Sequence, residues 1–107
     1  MPHFPKAHPS QRAPRSRIAI PTQIVLVYDD GRRTQGRLQI VSETGGCAGL
    51  EAQLAPATLV SVEVKTAAGT ITAIAEMLQP MDAGRQPFRF LAMDEAARTR
   101  LQQMMKS

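Results

Sequence analysis

Three closely spaced arginines, Arg12, Arg15 and Arg17, stand in a stretch that contains no acidic residue. A guanidinium stays charged at any physiological pH and presents a planar fork of donors, so such a cluster suits an anionic partner: nucleic acid, a nucleotide, an anionic membrane surface or an acidic protein. With Lys6 these residues account for the whole net charge of +4, because beyond Arg17 the chain balances nine basic against nine acidic side chains. Farther along, Ser42-Glu43-Thr44-Gly45-Gly46 combines locally hydrogen-bonding hydroxyls with two residues free to take positive φ, which is turn chemistry. Catalytic combinations are scarce. His3 and His8 both precede Arg12 and lie outside the body, Cys47 is the single thiol, and the carboxylates are scattered, so no nucleophile and base occur in a recognisable constellation and no metal set is expected. The chemistry on offer is binding of an anion, not catalysis.

The arginines sit in a segment that also holds Pro2, Pro5, Pro9 and Pro14, each without a backbone donor and each restricting the residue before it. Residues 1–17 are therefore expected to form a flexible basic arm, and 18–107 a single compact domain. One cysteine allows no internal disulfide. No apolar run approaches the roughly 20 residues that cross a bilayer, and the polar, proline-broken start does not read as a secretory signal. A cytoplasmic protein without a membrane span is expected.

Within the body, Ile20 to Tyr28 is rich in Ile, Val and Thr and stops at Asp29-Asp30-Gly31-Arg32, a hairpin signal. The return strand runs from Arg33 to Val41, with Leu38 and Ile40 expected on one face. After a break at Ser42 to Gly46, a third strand is predicted from Cys47 to Gln53. A fourth follows over Leu59 to Thr66, with Val60, Val62 and Val64 inward, and a fifth over Thr70 to Leu78, with Ile71, Ala73, Ala75 and Met77 sharing a face. Pro80 to Pro87 reads as a loop and Phe88 to Ala92 as a last short strand. The period then changes: Asp94 is a good N-cap, and Ala97, Leu101, Met104 and Met105 fall on one helical stripe. Six short strands and a closing helix predict an all-β fold, a six-stranded antiparallel β-barrel with a C-terminal helix.

The order of these pieces resembles the PilZ domain, a family of six-stranded barrels whose members typically bind the bacterial second messenger cyclic di-GMP. Its marks are an RxxxR motif before the first strand and a D/N-x-S-x-x-G motif after the second. Here Ile40-Val41-Ser42-Glu43-Thr44-Gly45 lies over the second motif, with Ser42 and Gly45 at the serine and glycine positions and Ile40 where the family has Asp or Asn. In the first, Arg15 has Gln11 four residues before it, with Arg12 and Arg17 close by. Phe88 to Asp94 and the helix after it look like the family's last strand and helix, so the resemblance runs from about Arg12 to the end.

That resemblance implies a cyclic di-GMP site in which Arg12 and Arg15 clamp guanine and phosphate, Arg17 reinforces them, Ser42 hydrogen-bonds at the barrel surface and Gly45 permits close approach. It implies a non-enzymatic signalling protein, with no cofactor beyond the dinucleotide ligand, that passes its signal to a protein partner. The departures at Gln11 and Ile40 leave an alternative, a degenerate PilZ domain that no longer binds the messenger and works as an adaptor through its strand edges or its methionine-ended helix. Nucleic acid is disfavoured, because single-strand binders use aromatic platforms and the body holds only Tyr28, Phe88 and Phe90.

Overall fold

β-Branched side chains fit a pleated, half-buried surface, and the Val-, Ile- and Thr-rich stretches of this chain close on one another as a barrel. The computed structural model describes the backbone of residues 16–106 and the side chains of 22–106. Strands β1 (Ser16–Val27), β2 (Arg33–Ser42), β3 (Gly45–Leu50), β4 (Leu59–Thr66), β5 (Gly69–Met77) and β6 (Arg85–Met93) precede helix α1 (Glu95–Lys106). All pairings are antiparallel in the order β1-β2-β3-β6-β5-β4, and β1 closes the ring on β4. Closure removes the unpaired edges through which a strand partner would add, so the expectation of adaptor contacts along a strand edge does not hold for these strands.

The core is built by the expected alternations. Val60, Val62 and Val64 from β4 and Ile71, Ala73, Ala75 and Met77 from β5 point inward, with Ile24 and Leu26 from β1 completely buried opposite them. Phe88 is buried, and Phe90 meets it edge-on with ring centroids 5.5 Å apart and planes at 68°. Between β1 and β2 the turn carries Gly31 at φ +90°, and the Arg32 guanidinium lies 4.7 Å from the Tyr28 ring centroid.

Several strand limits differ from expectation, each for a physical reason. β1 begins at Ser16, not Ile20, because Ser16 and Arg17 pair with Val41 and Ile40; the register is irregular between Arg17 and Thr22, where Pro21 offers no donor. β3 ends at Leu50, and the chain then turns so that Leu54 enters the core. β6 starts at Arg85, inside the expected loop. It tolerates Pro87 because the ladder uses that residue's carbonyl, which accepts from Leu78 N at 2.9 Å.

Helix α1 begins with the expected cap: Asp94 Oδ1 accepts from Ala97 N at 2.7 Å, and Glu95 occupies the first turn. Ala97 and Leu101 are buried in the barrel core, while Met104 and Met105 pack half-buried against it. Arg100 donates to Thr70 O at 3.1 Å, tying the helix to the start of β5. The methionine end is therefore packed and not a free recognition stripe. Asp94→Ala is expected to cost about 1 kcal/mol through the lost cap, read as a lower thermal unfolding midpoint with the barrel retained.

Candidate functional site

The β2–β3 connection is tighter than its composition predicts. Only Glu43 and Thr44 lie outside the strands, and Ser42 pairs directly with Gly45. The Ser42 hydroxyl is buried within the turn: its Oγ accepts from Thr44 N at 3.2 Å and lies 3.1 Å from Thr44 Oγ1 and 3.4 Å from the Gly45 carbonyl. Thr44 O in turn accepts from Phe90 N at 2.9 Å, which fastens the turn to β6.

Gly45 and Gly46 do not take the positive φ expected of them. Their need for glycine is spatial. A Cβ on Gly45 would lie 2.1 Å from Phe88 O, and one on Gly46 would lie 2.4 Å from Ile40 O and 3.0 Å from the Phe88 ring. β3 therefore approaches its neighbours more closely than any side chain permits.

A bulge sets what the outer wall presents. Leu38 pairs with Ala48 but Ile40 with Cys47, so two residues of β2 advance against one of β3. Leu38 and Val41 consequently both enter the core, and Ile40 does not share a face with Leu38 as simple alternation predicts. Ile40 turns outward into a groove of about 470 Å³ beside the turn, lined also by Ser42, Thr44, Gly45, Leu78, Met81, Arg85, Pro87 and Arg89.

Register organises that groove in rows. Ile40, Cys47 and Pro87 form one row across β2, β3 and β6, and Ser42, Gly45 and Arg89 form the next. The backbone of Arg17 pairs with Ile40 at the β1 end of the first row, so the last of the three arginines enters the barrel beside the Ser42 turn. Arg12 and Arg15 lie outside the described residues. Ile40, Leu78, Met81 and Pro87 make an apolar wall, and Arg85 and Arg89 supply positive charge. Arg89 is ion-paired with Glu76, and among the described residues Arg85 Nε donates only to the Asp82 carbonyl, at 3.4 Å. Such a groove can take the face of a planar ring against its wall and an anion at its rim.

No family model and no curated protein matches the chain by sequence. Solved structures do. YcgR from Escherichia coli in complex with c-di-GMP superposes with a TM-score of 0.76 at 23% identity, over 90% of this chain and 44% of that one. The PilZ domain of E. coli YcgR with c-di-GMP gives 0.71 at 21% identity, covering 90% of this chain and 88% of the domain. The fold is that of PilZ domains. The PilZ domain of CeSA from a cellulose-synthesizing bacterium gives 0.67 at 15% identity, covering 88% of this chain and 96% of that domain. The chain spans less than half of the full YcgR chain and nearly all of the isolated PilZ domains.

Against the PilZ fold, the sequence motifs divide. Ser42 and Gly45 line the groove, but their groups are already engaged in building the turn and the β3–β6 contact. The alternation of Phe88 and Phe90 already leaves Arg89 on the outer side of the last strand, though sequence reasoning did not count it as a site residue. Sequence reasoning missed Arg85, which also faces outward; extending β6's alternation backward from Phe88 would have found it. It also missed Gln86, fully buried between them, whose amide bonds Leu54 N at 2.8 Å, Leu54 O at 2.7 Å and Leu78 O at 2.9 Å. Gln86 holds the segment after β3 and the end of β5 together behind the groove. Among the described residues no group of three or more His, Cys, Asp or Glu could hold a metal ion, and no helix is long and apolar enough to cross a membrane.

Proposed function

We propose that this PilZ-type domain is a cyclic di-GMP receptor that acts by binding and signals to a protein partner, without catalysis. The observation that carries the reading is the register Arg17–Ile40 beside the Ser42–Gly45 pair, which joins two segments far apart in sequence at one end of one groove. Arg12, Arg15 and Arg17 would close on a dinucleotide seated there, with Ser42 and Gly45 shaping the surface beneath it. The groove's apolar wall suits a guanine face, and Arg85, which has no ion pair among the described residues, adds to the field that attracts the two phosphates. The similar YcgR structures contain c-di-GMP, which supports the choice of ligand.

Titration calorimetry with cyclic di-GMP tests this. Saturable binding is expected, weakened roughly tenfold or more by Arg15→Ala, since a hydrogen bond to a charged group contributes about 1.5–3 kcal/mol. Absence of heat at high micromolar ligand would remove direct sensing.

The adaptor reading is supported by a different observation. Leu59, Ile74 and Leu91 are 57%, 43% and 48% exposed on the β4, β5 and β6 wall, away from the groove. If this wall binds a protein without help from the nucleotide, Ile74→Glu abolishes function while Arg15→Ala leaves it intact. The opposite pattern favours the receptor.

A further inference from the structure

Gln39 faces outward by the ordinary alternation that also faces Arg37 outward and buries Leu38 between them, and it lines a second groove of about 610 Å³ on the β1, β2 and β3 wall. Gln23, Arg37 and Gly49 lie in one row across it, and Gly84 stands at its rim. Its floor at Gly49 is bare backbone: a Cβ there would stand 3.0 Å from Gln39 Nε2, so the amide lies directly over the glycine. Three of the groove's other polar residues make hydrogen bonds within it. Gln23 Nε2 donates to Gln35 Oε1 at 3.3 Å, and Glu51 Oε1 accepts from Gln35 N at 3.3 Å. Arg37 is exposed, and among the described residues neither its guanidinium nor the Gln39 amide has a side-chain hydrogen bond or ion pair. Among the described residues, a guanidinium and an amide without hydrogen-bond partners thus stand two residues apart on the same side of β2, the amide lying over Gly49.

We infer that this second groove reads a guanine edge, with Arg37 and Gln39 as its specificity residues. This rests on the reading of the chain as a cyclic di-GMP receptor. Guanine presents N7, O6 and N1–H side by side. An arginine fork meets N7 and O6 together, and the Gln39 carbonyl oxygen accepts from N1–H beside them. Adenine places an amino group where guanine has O6, which sets donor against donor at Arg37. The alternation that faces Arg37 outward faces Gln39 outward too, so its amide stands on the same side of β2 as the guanidinium. The absent Cβ at Gly49 gives the Gln39 amide room to lie against the strand, and a methyl there would displace it from the base edge.

The test is calorimetry of the full chain and of Arg37→Ala, Gln39→Ala and Gly49→Ala with cyclic di-GMP and, separately, cyclic di-AMP. The unmodified chain is expected to bind cyclic di-GMP and to prefer it over cyclic di-AMP. Arg37→Ala should weaken cyclic di-GMP binding roughly ten- to hundredfold and erase most of that preference, as loss of a bidentate base contact does. Gln39→Ala should have the smaller effect in the same direction. Gly49→Ala should weaken binding while leaving the unfolding midpoint unchanged or higher, since alanine is better tolerated than glycine inside a strand; this separates a binding role from a structural one. Unaltered affinity and preference in Arg37→Ala and Gln39→Ala, with the unmodified chain binding normally, would overturn the assignment of this groove alone. No binding by the unmodified chain would overturn the receptor reading and this assignment together.

Discussion

Gly45→Ala is expected to destabilise the protein by about 3 kcal/mol, at the upper end of the usual cost of overpacking. The added methyl would lie 2.1 Å from the Phe88 carbonyl oxygen and 3.0 Å from Arg89 Cα. Both obstacles are backbone. A flexible side chain could swing aside, but here β3 must move away from β6, and that strains the Gly46–Phe88 and Cys47–Pro87 pairs beyond it. For a domain of this size the thermal midpoint should fall by roughly 15 °C. Denaturant unfolding checks the magnitude; a change under 0.5 kcal/mol, within the scatter of about that size for neutral surface substitutions, would show that the β3–β6 contact can relax. The expected result also governs how binding data are read. A Gly45 variant that loses cyclic di-GMP does so through its barrel, so the motif glycine is a poor probe of ligand contact. Arg15→Ala and Arg37→Ala are the better probes.

Gln86→Leu is expected to cost a further large amount, about 3 kcal/mol, despite the similar volume of the new side chain. The substitution leaves Leu54 N, Leu54 O and Leu78 O without the partners they have in the native barrel, the two Leu54 groups in a buried place and Leu78 O in a part-buried one. Leaving a buried polar group unsatisfied costs about 1–3 kcal/mol, and partial relaxation of the loop after β3 keeps the sum below three times that value. A specific readout accompanies the loss of stability: the Leu54 amide, protected by the Gln86 carbonyl oxygen, should exchange its hydrogen far faster while amides in β4 change only with global stability. Exchange at Leu54 unchanged from the parent would mean that another group satisfies it. Because Gln86 lies between Arg85 and Pro87, the same variant should loosen the groove wall and weaken any ligand that rests on it.

Most of the barrel was legible from local pattern. The valine alternation of β4 and the Ile71-to-Met77 alternation of β5 predict their inward faces because side chains on a strand repeat every two residues. Asp94 and the Ala97–Leu101 stripe predict a capped helix docked by one face. The errors fall where a neighbouring strand overrules local preference. Pro87 reads as a strand breaker, yet it sits in β6 because only its carbonyl is needed there. Gly45 and Gly46 read as turn residues because glycine tolerates positive φ, yet they are strand residues chosen for their lack of a Cβ. Gln86 reads as a loop amide and is the most deeply placed polar side chain in the barrel.

By itself, the sequence determined the class of fold, the element order, the arginine-rich segment and the Ser42 turn, since each depends on residue types within a few positions of one another. Only the tertiary structure decided what the barrel wall shows to a ligand. The bulge at Gln39 and Ile40 exists because β2 must stay in register with β3 on both sides of an extra residue. That constraint lies between strands and leaves no mark in either one's composition. It takes Ile40 out of the core, where simple alternation would have placed it with Leu38, and into the groove beside the Ser42 turn, while Gln39 keeps the outward place that alternation alone gives it.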